Sequence, residues 1–324
     1  MNIDLTLAIC MYNAEQYIEE TLQCVMAQTM QEFHLLIVDD CSTDGSVELV
    51  KSFFEQHPRQ YQLIRLEQNK GIAYARNYAL HISDTKYLIF IDSDDLPLPQ
   101  LLETEYKLLT SDPKIMAVSS WLQYIDKNGN KIKGGLFIGD TEKDTFKLKA
   151  ERNKLVFLPI QTMFERECAI RVGGFCCEGF PKGKPRYMDY CEDLDLWTRM
   201  SDLYVEGRAI VTIPKVLYKY RKIDGLSSNH FNMIIKMRYV KKNLLLRRSK
   251  QKELTFVEFM NQLTSQEYNK LEKESAAADN LRNGIFYLRE RKLLKALVLI
   301  TKSVWCNPSY ILEKLKYNFG LKNK

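Results

Sequence analysis

Histidine is scarce in this chain: His34, His57, His81 and His230 are the only four in 324 residues. The eight cysteines, at positions 10, 24, 41, 168, 176, 177, 191 and 306, form no C-x-x-C pair. Together these absences argue against a zinc centre. Their scatter fits a reducing compartment better than a disulfide framework, and bridging the neighbours Cys176 and Cys177 would be strained. The opening MNIDLTLAIC lacks the basic region and long apolar run of a secretory signal, so a cytoplasmic chain is expected. No stretch reaches the roughly 20 apolar residues that span a bilayer; the longest candidate, Leu293 to Ile300, is interrupted by Lys295. There is no internal repeat and no low-complexity tract. With 45% hydrophobic residues the composition is that of a globular protein and excludes wholesale disorder.

The length suffices for one large domain, or for a catalytic domain with a smaller appendage. Charge favours the second. Residues 1–231 carry 27 Lys+Arg against 33 Asp+Glu, whereas residues 232–324 carry 20 against 8. The net charge of +6 is therefore an acidic body followed by a strongly basic tail, and the tail calls for an anionic partner.

Hydrophobic periodicity gives a regular alternation at first. Short apolar runs at Leu5–Cys10, Phe33–Val38, Tyr61–Leu66 and Tyr87–Ile91 read as buried strands. Between them Ala14–Gln28, Ser46–Glu55 and Gly71–His81 carry helical spacing. Such alternation implies right-handed βαβ units and a parallel sheet with helices on both faces, with ligands at the carboxyl ends of the strands. Tyr12-Asn13, Asp39-Asp40 and Asp92 to Asp95 all fall at such ends. Residues 97–231 are less regular. They hold a helix at Leu101–Leu109, a strand at Met116–Tyr124 with a polar turn at Asp126–Asn130, a Gly173-Gly174-Phe175 turn, a helix from Asp193, and strands at Ala209–Ile213 and Val216–Tyr220. From about Phe231 the pattern becomes helical.

Four clusters carry chemistry. In Ile91-Asp92-Ser93-Asp94-Asp95 three carboxylates crowd the end of a buried strand, a costly arrangement that a hard divalent cation would offset. The alternative is a turn with an aspartate capping a helix. In Val38-Asp39-Asp40-Cys41-Ser42-Thr43-Asp44-Gly45-Ser46, helix capping accounts for Asp44 but not for the two preceding acids, which could accept from a base or a ribose hydroxyl. In Asn69-Lys70-Gly71-Ile72-Ala73-Tyr74-Ala75-Arg76-Asn77, Gly71 permits a tight turn into a helix whose N-terminus favours anions, although Lys70 and Arg76 would also suit a solvated helix face. In Cys191-Glu192-Asp193-Leu194-Asp195-Leu196-Trp197, a carboxylate at a helix start stays ionised, as a general base must. Trp197 is either core or a platform for a sugar ring.

In this order and spacing, the segments CMYN at 10–13, VDDCSTDGS at 38–46, NKGIAYARN at 69–77, IDSDD at 91–95, GGF at 173–175 and CEDLDLW at 191–197 resemble the family 2 inverting glycosyltransferases of the GT-A fold. The resemblance covers about residues 4–231, and one departure is Cys10 where Pro or Thr often stands. It implies a Rossmann-like, mostly parallel sheet flanked by helices, divided into a nucleotide-binding half at 1–96 and an acceptor and catalytic half at 97–231. The basic residues 232–324 form a helical C-terminal extension. Carried over residue by residue, Tyr12 would stack on the base, usually uracil, and Asp40 with Asp39 would bind base or ribose. Asn69, Gly71 and Arg76 would hold the nucleotide end, with further nucleotide-sugar contacts from Asp92 and Ser93. Asp92 and Asp94 would form the Asp-x-Asp motif for Mn2+ or Mg2+, with Asp94 the direct ligand. Asp193 would be the catalytic base, and Glu192 and Trp197 would border the acceptor and sugar pocket. Arg221, in YKYRKIDGLSS, resembles a basic residue that meets the diphosphate after loop closure.

The implied reaction is a single in-line displacement from a UDP-sugar to a glycan or lipid-linked acceptor, converting an α-linked donor to a β-linked product. Lipopolysaccharide, O-antigen or capsule assembly is the expected pathway. For the tail, Ile285–Trp305 sets Phe286, Leu293, Leu297, Ile300 and Val304 against Arg289, Arg291, Lys292, Lys295 and Lys302. Two readings stay open: an amphipathic helix peripheral on the anionic inner face of the cell membrane, or a helical cap with a solvated basic face. Nucleic acid is not an expected partner, because the crevice side is acidic. A sugar nucleotidyltransferase would need a Gly-rich loop that Cys10–Ala14 lacks, and the intact acids argue against a non-catalytic glycan-binding module.

Overall fold

The structure, a computed structural model, describes residues 3–223, 229–289, 291–309 and 312. By their internal contacts they group into two units, one of Met1–Glu178, Cys191–Ile223 and Asn243–Lys252, the other of Gly179–Tyr190, Asp224–Lys242 and Glu253–Lys324.

The first unit is built on a sheet ordered β3-β2-β1-β4-β8-β6-β9-β5, with β7 paired to β6. Its first half alternates as the apolar runs require: β1 (Leu5–Met11), α1 (Ile18–Met26), β2 (His34–Asp39), α2 (Ser46–Gln56), β3 (Gln62–Arg65), α3 (Ile72–Ile82) and β4 (Tyr87–Asp92). These four strands are all parallel. The central strand β1 is buried along its whole length, and its alternation decides what packs on each side. Leu5, Leu7, Ile9 and Met11 meet Ile18, Leu22 and Val25 of α1 and Val47 and Val50 of α2. On the other face Ala8 and Cys10 share a core with Ala75 and Ala79 of α3. Small residues on both partners let that helix lie close to the sheet.

The second half runs β5 (Leu96–Pro97), α4 (Leu101–Ser111), β6 (Ile115–Ile125), β7 (Lys131–Leu136), α5 (Lys143–Glu151), β8 (Met163–Glu165), α6 (Arg166–Arg171), α7 (Glu192–Met200) and β9 (Ala209–Arg221). Antiparallel neighbours enter here, but in registers of only two or three residues, so the sheet is parallel over most of its paired length. The sequence suggested two strands at 209–213 and 216–220. They are one strand, whose register against β6 lapses at Pro214 and Lys215 and then resumes. Proline has no N–H to give the ladder, and Pro214 and Lys215 bulge out between Ile213, opposite Ser120, and Val216, opposite Trp121.

The end of α8 (His230–Arg248) also belongs to this unit, where Arg248 Nε meets Asp202 at 2.7 Å. In the second unit, α9 (Phe256–Gln262) starts with a capping box between Thr255 and Glu258 and seats Phe256 among Phe180, Tyr187 and Tyr239. The helices α10 (Ser265–Arg289) and α11 (Leu293–Cys306) pack against each other. Among the described residues no helix is long and apolar enough to cross a membrane.

Candidate active site

Parallel register brings three motif loops to one edge of the sheet. Met11 lies opposite Asp39 and Cys10 opposite Asp92, so the residues that follow β1, β2 and β4 emerge side by side. Tyr12 is 48% exposed there, a ring free to receive a flat partner. Next to it Asn13 takes a left-handed backbone (φ 51°), and its Oδ1 accepts from the Thr43 N–H at 2.8 Å. The Asn13 N–H donates to Ser42 Oγ at 2.9 Å, which stitches the first loop to the second.

Asp39 and Asp40 are both buried. Asp39 accepts from the Ser42 N–H and pairs with Arg65 at 3.3 Å. The Asp40 carboxylate accepts two backbone N–H groups, from Lys70 and Gly71, each at 2.7 Å. Asn69 Nδ2 donates to the Asp40 carbonyl at 3.1 Å. Asp40, Asn69 and Gly71 thus form one joint at the start of α3, where the helix dipole favours a carboxylate. Gly71 has φ 95°, a conformation in which a side chain would be strained. Both acids are engaged by the chain itself, and contact with a base or ribose would use their remaining lone pairs.

The acidic turn after β4 is held from behind. The Asp95 N–H donates to the Asp92 carbonyl at 3.2 Å, and Thr21 Oγ1 donates to the carbonyls of Ser93 and Asp95. Asp95 is buried and accepts the Arg221 N–H at 2.7 Å. Arg221, expected to meet the diphosphate after loop closure, is here engaged by the chain itself. Its guanidinium is 1% exposed, donates to the Asp94 carbonyl at 2.7 Å and to Lys127 O at 3.0 Å, pairs with Glu20 at 2.6 Å and lies over the Tyr17 ring. These contacts brace the acidic turn from behind, so in this conformation Arg221 is a support for Asp94.

Asp92, Ser93 and Asp94 remain partly exposed. Burial, and then the charge of Asp92, push the Asp94 carboxyl up to about 6. These are oxygen donors whose mutual repulsion a hard cation would relieve. Among the described residues no three His, Cys, Asp or Glu side chains converge as a ready cage. Two carboxylates that leave the other positions to substrate phosphates and water are the set that suits Mg2+ or Mn2+ shared with a nucleotide.

The link to the fourth cluster is Arg76. Its Nη2 meets Asp92 Oδ1 at 2.5 Å, and its Nη1 pairs with Glu192 Oε1 at the start of α7. Burial opposes charge on Arg76, but Asp92 and Glu192 more than offset it and hold the guanidinium charged. Burial also lifts Glu192 against the pull of Arg76. Asp193 follows Glu192, is partly exposed, and accepts the Leu194 N–H at 2.7 Å. Burial raises its carboxyl, Arg76 opposes that, and Asp92 adds to it. A partly desolvated carboxylate with a raised pKa can take a proton from a hydroxyl at neutral pH.

Trp197 corrects the sequence reading. It is fully buried and packs edge-on against Phe164 at 5.4 Å, so it is core and not a platform for sugar. Glu192, expected at the pocket border, is 8% exposed and held by Arg76. Three supports went unseen in the sequence. Tyr218 Oη receives the Asp92 N–H at 3.2 Å, Thr21 holds the turn, and Asn77 Oδ1 accepts the Phe175 N–H at 3.0 Å. Asn77 belongs to a motif that the sequence reading singled out, and Gly174 (φ 64°) is the residue that passes it: a Cβ there would meet Asn77 Oδ1 at 2.4 Å. That pairing of GGF with the end of NKGIAYARN was the available signal. Tyr218 and Thr21 offered none.

A family model described as Glycosyl transferase family 2 matches residues 6–173, which include Tyr12, Asp40, Arg76 and Asp94 but stop before Asp193 and Arg221. The teichoic acid poly(glycerol phosphate) polymerase of Staphylococcus epidermidis is 41% identical over 91 residues, 28% of this chain and 13% of that protein. The chain spans less than half the length of the first curated relatives that it matches. Among solved structures, TarS 1-349 of S. aureus in complex with UDP-GlcNAc has a TM-score of 0.56 at 17% identity, over 92% of this chain and 90% of that one. The mannosyltransferase PcManGT of Pyrobaculum calidifontis, in complex with GDP-Man and Mn2+, has a TM-score of 0.53 at 18% identity, over 99% of this chain and 81% of the other.

Proposed function

Because the chain belongs to glycosyl transferase family 2 and is a glycosyltransferase of the GT-A fold, we propose that it moves a hexose from a UDP-sugar to a glycan or lipid-linked acceptor, with inversion at the anomeric carbon. The observation that carries this reading is the Arg76 bridge, which ties Asp92 in the acidic turn to Glu192 beside Asp193. It supports a leaving-group end and an acceptor end in one electrostatic unit.

Tyr12 would stack on the base, and the loop knitted by Asp39, Asp40, Asn69 and Gly71 would receive the nucleoside. Asp92 and Asp94 would hold Mn2+ or Mg2+, which when bound neutralises charge on a departing diphosphate. Asp193 would accept the proton of the acceptor hydroxyl as that oxygen attacks C1 from the face opposite the diphosphate. Glu192 and Arg76 would keep Asp193 aimed and its surroundings balanced in charge. Catalysis is assigned to residues 1–231, with the nucleotide in 1–96 and the acceptor in 97–231.

For the acceptor we favour a bacterial surface polymer, in the class of lipopolysaccharide, O-antigen, capsule or teichoic-type chains. The relative named as a teichoic acid polymerase and the basic residues 232–324, suited to an anionic membrane surface, both support it. The test is a panel of UDP-sugars and GDP-mannose incubated with envelope extract and Mn2+ or Mg2+, read by mass spectrometry. One UDP-sugar should be consumed with a hexose added to an acceptor, and EDTA should stop it. Turnover of GDP-mannose alone, or transfer undiminished by EDTA, would overturn the donor or the metal assignment respectively.

A further inference from the structure

In the tail, α11 presents bulky apolar side chains to the outside. On α11 the residues that face inward are small or only partly apolar in character: Ala296 and Ser303 are buried, and Ser303 Oγ donates to the Ala277 carbonyl of α10 at 2.6 Å. Ile300 faces Gly284, where an added Cβ would meet it at 2.7 Å. The bulky side chains point outward. Leu293, Leu297 and Val304 form one row, exposed by 66%, 60% and 41%, and Leu294, Val298 and Trp305 form the next, exposed by 78%, 47% and 90%. Spacings of four and seven residues keep each row on one side of the helix. The outward side of this helix is therefore largely apolar, with the exposed Lys295 and Lys302 beside it. The side chains of Phe286 and Arg289, also part of the sequence reading, lie outside the described residues.

Charge decides what could cover such a face. Residues 291–306 hold Arg291, Lys292, Lys295 and Lys302 and no acid. Lys295 and Lys302 are one helical row, seven apart, and follow Val298 around the helix. Two copies of this face meeting about a two-fold axis would bring these cations toward each other with no acid on the helix to answer them. An anionic lipid surface answers both features at once: headgroups meet the lysine row, and the leucines and Trp305 enter the boundary between headgroup and acyl chain.

We propose that the outward face of α11 is a membrane-docking surface for anionic phospholipid, entered by Leu294, Leu297 and Trp305 and bordered by Lys295 and Lys302. This rests on the membrane part of the proposed function and gives it a site. It is separable from the donor chemistry, since binding to lipid can be read without turnover.

The experiment is flotation of the full chain with vesicles of phosphatidylcholine alone or with about one third phosphatidylglycerol, alongside sedimentation velocity without lipid. The proposal expects flotation only with the anionic vesicles. Lys295→Gln with Lys302→Gln should weaken it by about tenfold or more, at roughly a kcal/mol per cation. Leu294→Gln with Leu297→Gln should abolish it, and donor consumption in solution should persist in both variants. All four positions are on the exposed face, and the circular dichroism of the variants checks that they fold. Flotation that is absent, equal on neutral vesicles, or unchanged in the leucine variant would overturn the proposal. So would a dimer in the lipid-free protein that the leucine variant dissociates, since the face would then belong to a second copy. Flotation as described in a protein that turns over no nucleotide sugar would leave this inference standing and remove the proposed reaction.

Discussion

Arg76 and Glu192 form a buried ion pair across 116 residues of chain, and the same guanidinium reaches Asp92. The pair joins the sheet edge to the start of α7. Removing the cation leaves two carboxylates facing each other in a desolvated space, which costs about 3–5 kcal/mol when no partner replaces it. Arg76→Met should therefore unfold at markedly lower denaturant, and Arg76→Met combined with Glu192→Gln should recover much of the loss. Urea titrations of the three proteins check this. If the double variant is no more stable than the single one, the pair is not the link described.

Asp193→Asn keeps the size of the side chain and loses its capacity to take a proton. Transfer should fall by about 10²–10⁴-fold, the usual worth of a general base. Binding of UDP-sugar, measured by calorimetry, should change little, because the proposed donor site lies at the other end of the Arg76 bridge. Loss of donor binding in step with activity would move Asp193 from base to binding residue.

Much of the first half was legible because a buried parallel strand is written as a continuous apolar run. Leu5–Met11 and Tyr87–Asp92 end within one residue of where the sequence placed them. The acidic turn was legible for a related reason, since three crowded carboxylates are too costly to be accidental. What could not be read was direction. Arg221 and Trp197 carry the right chemistry for phosphate and sugar, but the fold turns one behind the turn and the other into the core. Those directions come from tertiary partners: Phe164 of β8 for Trp197 on α7, and Glu20 and the Asp94 carbonyl for Arg221 at the end of β9. For the tail, composition showed apolar and basic residues and left two readings open; which side of α11 lies against α10 follows from the small residues Gly284, Ala296 and Ser303 at their contact.

Tyr12 and Trp197 make a paired test of that distinction. Tyr12 is exposed and holds no part of the core, so Tyr12→Ala should leave stability unchanged while weakening nucleotide binding by about 1–3 kcal/mol, the worth of one stacked base. Trp197 is enclosed with Phe164, so Trp197→Ala should cost about 3–5 kcal/mol of stability through the cavity it opens. Thermal denaturation and UDP titration of both variants separate the roles. A Trp197→Ala protein of normal stability with a raised KM for acceptor would restore the platform reading.

Glu105 gives a pH dependence independent of the site. It is fully enclosed on α4, and its carboxylate accepts the Met163 N–H at 3.2 Å. Burial raises its pKa well above the ordinary value, against the pull of the Met163 N–H and the nearby Ser120 hydroxyl. A carboxyl raised in the folded state holds its proton more tightly there than in the unfolded chain. Its contribution is therefore complete below the unfolded value of about 4.3 and is lost as pH rises toward the folded value, by at most about 1.4 kcal/mol per pH unit. Glu105→Gln mimics the protonated form at every pH and removes that slope. Subtracting the unfolding free energy of the wild type from that of the variant cancels the other titrations common to both. The difference should climb in favour of the variant from pH 4.5 upward, measured by urea denaturation at half-unit steps to pH 8. A difference that stays level, or falls, would mean that Glu105 is ionised in the folded protein with a partner strong enough to overcome its burial.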